Sequence, residues 1–186
     1  MTLSEAQKEI RYAFLGGFAG QLVSGLIWLV ASAISIISLP LNGMIFLFFG
    51  GMLIFPLTQL ILKIMGRSTK VSDDNRLWTL GSLTAITVPI NFILVGAIIK
   101  YRPEWFFPAA MIVVGTHYLP FITLYGMKLF GILAAILIIC GAVIGLYGPS
   151  IFSFGGWFTG IVLIIFAFVG RSIIIREEKI DLFLES

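Results

Sequence analysis

A single histidine, a single cysteine and nine acidic residues are all that this 186-residue chain offers to acid–base, metal or redox chemistry. The shortage has a pattern. No acid lies between Glu9 and Asp73 or between Glu104 and Glu177, and no charge of either sign falls in 12–62, 77–99, 105–127 or 129–170. One His and one Cys do not complete a zinc site of three or four protein ligands within a chain, and a Ser-His-Asp arrangement lacks its buried acid. Proton- and sodium-coupled transporters usually hold a carboxylate inside the membrane, so the missing acids argue against a cation-coupled pump. Missing intramembrane arginine argues against a voltage sensor. The sequence implies no catalytic residues, no cofactor and no metal, and its chemistry weighs against an enzyme. Cys140 has no partner for an intrachain disulfide.

What is present is apolar. Hydrophobic residues make up 59% of the chain and charged residues 11%, against about half and about a quarter in a soluble domain. Each uncharged run exceeds the roughly 18 apolar residues that mark a membrane span, and about 20 residues cross a ~30 Å hydrocarbon core. The runs at 12–62 and 129–170 are long enough to fold back once, at "SLPLNG" (38–43) and "LYGPS" (146–150), where Pro and Gly stop helices and turn the chain. The fold class expected is all-α: a single transmembrane domain over 1–186, a polytopic bundle of six spans near 12–37, 42–63, 77–99, 105–126, 128–147 and 153–174. Helices satisfy their own backbone in lipid, and the runs are too long and continuous for barrel strands.

Lys and Arg set the expected orientation. Ten of the twelve fall on the side of the two termini, and only Lys100 and Arg102 on the other. Positive charge stays cytoplasmic, so both termini are expected there. The net charge of +3 fits topology and anionic headgroups and gives no reason to invoke nucleic acid. Residues 2–11 read as a helical lead-in with Ser4 and Gln7 at capping-box spacing. The tail "REEKIDLFLES" reads either as a surface-lying segment or as a loose end.

Uncharged polar groups are the remaining candidates for function. At ~1.5 Å per residue, Gln21 lies about 15 Å from one boundary and His117 about 18 Å from the other, at similar depth. Asn91 is shallower on one side, Gln59 and Thr58 on the other, with Tyr118 at their level. Such groups face the bundle interior and are expected to line an uncharged cavity that binds or passes a neutral or weakly polar small molecule or lipid. The plainer reading is interhelical hydrogen bonding, worth about 0.6 kcal/mol per pair. Pro56, Pro89 and Pro120 should kink their spans. The pairs Gly16/Gly20, Gly141/Gly145 and Gly156/Gly160 place small residues on helix faces, for internal packing or for a homo-oligomer or partner.

"GTHYLPFITLY" (115–125), "GGMLIFPLTQLILK" (50–63) and "PEWFFP" (103–108) together resemble a family of small six-helix bacterial membrane proteins of unknown function. The resemblance covers most of the chain. It implies a bacterial cytoplasmic membrane and draws attention to His117, Tyr118, Pro120 and Pro56; it supplies no activity.

Overall fold

The chain enters its first helix, α1 (Leu3–Ala13), through Thr2. The Thr2 hydroxyl accepts from the Glu5 N–H (3.3 Å) while the Glu5 carboxylate accepts from the Thr2 N–H (2.7 Å). The cap therefore lies two residues before the expected Ser4/Gln7 pair. A carboxylate is the better acceptor at the positive end of a helix, and Gln7 is drawn instead to the Thr123 carbonyl (2.7 Å).

A continuous helix over 12–37 does not form. Leu15, Gly16 and Gly17 take positive φ (48°, 62° and 80°), a geometry that glycine adopts at little cost, and this turns the chain from α1 into α2 (Phe18–Ile37). Gly16 thus shares no helix face with Gly20. The expected second span is also broken: α3 (Pro40–Met52) and α4 (Ile54–Ile64) meet at 55°. The break falls at Leu53 rather than at Pro56, which sits in the first turn of α4, where its missing N–H costs no intrahelical bond. Helix continues through Pro89 in α5 (Leu77–Ile99) and Pro120 in α6 (Phe106–Tyr125). The last two are α7 (Leu129–Tyr147) and α8 (Phe154–Glu185).

The computed structural model describes residues 1–149 and 151–185, the side chain of Glu185 excepted. Ser150, in the turn expected at "LYGPS", lies outside the described residues, as does Ser186. Five helices are long and apolar enough to cross a membrane, or six if the bent α3–α4 pair is one span. The chain is an all-α helical bundle of the multi-pass membrane type.

Two close pairs organise it, α2 on α8 and α6 on α7; α3 and α4 pack on α2, and α5 on α6. Glycine permits the approach. A Cβ on Gly160 would lie 2.6 Å from the Leu29 side chain and 2.9 Å from the Gly25 carbonyl oxygen. One on Gly141 would lie 2.9 Å from the Pro108 carbonyl oxygen, and one on Gly145 2.9 Å from the Trp105 ring. The glycine pairs therefore face neighbours within the chain. The core between these helices holds Trp28, Phe107, Met111, Phe130, Leu133, Leu137 and Leu163, whereas α5 buries only Thr84 and Val95.

Candidate functional site

Five buried hydroxyls in this bundle are satisfied locally. Ser32, Ser35, Thr58, Thr84 and Thr159 each donate to the carbonyl four residues earlier, at 2.7–2.8 Å, the usual recourse of a short polar side chain in a helix. Gln21 has no such recourse. Its side chain is 2% exposed, and neither Oε1 nor Nε2 has a hydrogen-bond partner among the described residues. A carboxamide carries two donors and two acceptor lone pairs, and each buried group left unmatched costs roughly 1–3 kcal/mol.

The surroundings of Gln21 follow from the stripe it occupies. Gly17 lies one turn before it and Gly25 one turn after. A Cβ on Gly17 would stand 3.2 Å from the Phe130 ring and 3.8 Å from the Tyr125 hydroxyl; one on Gly25 would stand 2.7 Å from Ile164. The turn that precedes Gln21 therefore stands at the level of Tyr125 and Phe130. Gly20, beside it, brings Thr58 of α4 near, its hydroxyl 3.5 Å from a Cβ built on that glycine.

His117 is held from the other side. Its Nδ1 lies 3.0 Å from the Thr84 carbonyl oxygen of α5. A carbonyl only accepts, so Nδ1 carries the proton, and in the neutral ring Nε2 is left as an acceptor. Thr84 directly precedes Ala85, whose carbonyl loses its usual donor to Pro89. The His117 ring packs on Phe121 (centroids 4.9 Å apart) and Tyr118 (5.7 Å). Tyr118 is buried and stacks on Phe130 at 6.0 Å, and Tyr125 meets the same ring at 4.8 Å. Phe130 thus links the Tyr118 cluster to the Gln21 level.

Of the six expected residues, His117 and Tyr118 come together, and Thr58 comes close to the Gln21 turn. Gln59 and Asn91 are half-buried on α4 and α5, helices that pack mainly on α2 and α6 respectively, so they do not join one group. Two clefts, of about 340 and 350 Å³, open on α8, the first bordered also by Arg11 of α1, and none of the six residues lines either.

At the end of the bundle bearing α1, the fold builds a polar network that sequence reasoning missed. Arg11 holds the Glu177 carboxylate at two points (2.6 and 3.2 Å) and donates to the Tyr125 carbonyl (2.9 Å). Lys8 pairs with Asp181 at 2.7 Å, and Arg67 pairs with Glu178. Asn75, 3% exposed, donates to the Ala6 carbonyl (3.0 Å) and to Glu9 (2.7 Å) and accepts from the Leu77 N–H (3.1 Å). As far as Glu185 the tail continues α8, and its Glu177 and Asp181 are bound back to α1. The Lys8 ammonium and the Tyr12 hydroxyl hold the Asp181 carboxyl below its usual range. Burial opposes the same shift at Glu9, where hydrogen bonds from Ser72 and Asn75 prevail and lower it. The only signal for this network in the sequence was opposite charge at the two ends of the chain.

A family model matches residues 3–172. The chain belongs to that family, DUF7010, a family of unknown function. No curated protein and no solved structure matches the chain. The DUF7010 match spans α1 through most of α8, including Gln21, the His117 cluster and Arg11.

Proposed function

We propose that this chain is a six-span protein of a bacterial cytoplasmic membrane that binds a neutral or weakly polar small molecule at Gln21. The orphaned Gln21 carboxamide carries the reading. A helix face that needed only packing would hold leucine there; an amide retained without a protein partner is matched to a molecule with both a donor and an acceptor. The rings of Phe130, Tyr118 and Tyr125 would supply its apolar wall, and Thr58 would be a further polar group at the margin. Passage across the membrane would in addition need openings at both ends of the bundle.

Two observations support the topology and its orientation. Lys and Arg divide ten to two between the sides, which favours cytoplasmic termini. The ion pair of Arg11 with Glu177 joins α1 to the end of α8, which supports both ends on one side and, with it, a reading of α3–α4 as one bent span. The glycine faces considered for a homo-oligomer or partner are taken up by the chain's own helices, which tilts the balance toward ligand binding.

The test is chemical. Protein is purified from its membrane in mild detergent and its small-molecule extract compared with that of Gln21→Leu by mass spectrometry. A neutral species stoichiometric with the wild type and absent from a folded Gln21→Leu is expected. Identical extracts would end the proposal.

A further inference from the structure

The two clefts on α8 form one groove. The first is lined by Arg11, Lys128, Leu129, Ile173 and Glu177, among others. The second is lined by Phe168, Val169, Ser172, Ile173 and Arg176. Ile173 is common to both. Charge within the groove does not cancel: Arg11 and Glu177 neutralise each other, whereas Lys128 and Arg176 are exposed and make no ion pair among the described residues.

Polarity changes along the groove in a fixed order. Phe168 and Val169 belong to the uncharged run that ends at 170, at membrane depth. Ile173 lies one turn further, and Arg176 three residues beyond it on the same face. Lys128 immediately precedes the first turn of α7, whose amino-terminal end adds to the positive potential. An apolar wall followed by two uncompensated cations matches an acyl chain followed by a phosphate. Basic recesses between spans at the headgroup level are suited to anionic lipid.

We propose that this groove is a binding site for one anionic phospholipid, with its phosphate between Lys128 and Arg176 and an acyl chain along Phe168, Val169 and Ile173. A free phosphate ester would use the cations but leave the apolar wall idle. A zwitterionic lipid would bring an ammonium group against the same cations. The site is separate from Gln21 and does not rest on the ligand proposed there.

The full chain, delipidated and reconstituted in nanodiscs holding equal phosphatidylglycerol and phosphatidylcholine with identical acyl chains, is re-extracted, and its retained lipid is counted by native mass spectrometry. Phosphatidylglycerol is expected to be enriched roughly twenty-five-fold, from two cations each contributing about fivefold. Lys128→Gln with Arg176→Gln should bring the ratio near parity at an unchanged unfolding temperature. The charge-preserving pair Lys128→Arg with Arg176→Lys should keep the enrichment, as should Lys63→Gln with Lys70→Gln elsewhere on the surface. Parity in the wild type, full enrichment in the double Gln variant, or equal loss in the Lys63/Lys70 variant would overturn the proposal. Displacement of the lipid by soluble glycerol 3-phosphate would also overturn it, by assigning the site to free phosphate esters.

Discussion

Gln21 and Asn75 are both buried carboxamides, 2% and 3% exposed, yet their environments have nothing else in common. Asn75 makes three hydrogen bonds and ties α1 to the start of α5. Gln21 makes none among the described residues. The first is a structural joint, built where three segments of the chain converge outside the apolar core. The second sits within the apolar helices, where an unmatched amide works against stability and, on the proposal made for it, is matched by a ligand. Burial alone does not distinguish the two; the presence or lack of protein partners does.

The contrast can be broken by substitution. The largest effect should come from Gly25→Leu, one turn from Gln21, because a Cβ there already stands 2.9 Å from the Gly160 carbonyl oxygen. Overpacking against backbone should cost about 3 kcal/mol, read as a lower unfolding midpoint in detergent. Asn75→Leu comes next: it removes the bonds to the Ala6 carbonyl and to one oxygen of Glu9, and should cost about 2 kcal/mol by the same measurement. Gln21→Leu should differ in kind, leaving stability within about 0.5 kcal/mol or raising it, since an unmatched polar group is replaced by an apolar one. A loss at Gln21 as large as at Asn75 would erase the distinction.

Acid sharpens the comparison without mutation. The Glu9 and Asp181 carboxyls are held below their ordinary values in the fold. Their contribution is therefore present above the unfolded values near about 4 and is lost as pH falls through the lower folded ones. Below about pH 4, amides of α1 should lose hydrogen-exchange protection before those of α2 around Gln21. The smallest effect should be at Arg102, whose pair with Glu104 is exposed; Arg102→Ala should leave the unfolding midpoint unchanged.

The apolar runs made the bundle legible in the sequence, because about 20 uncharged residues have few alternatives to a spanning helix. Gln21 was legible too, as a polar residue within such a run. The break after Ala13 was not: "LGG" also reads as helix-face packing, and only the positive φ values reveal a turn. The network at the α1 end was hidden for another reason. Arg11 and Glu177 are 166 positions apart, and charges at the two ends of a membrane chain read first as topology. The grouping of Gln59 and Asn91 with His117 rested on depth alone, and depth does not say which helices are neighbours.

The most direct measurement is a density map of the protein taken from its native membrane, at a resolution that resolves single waters. Non-protein density of an organic molecule within hydrogen-bond reach of both Gln21 Oε1 and Nε2 is expected. A lone water there, or a Gln21 side chain turned to bond with a neighbouring helix, would contradict a ligand at this position.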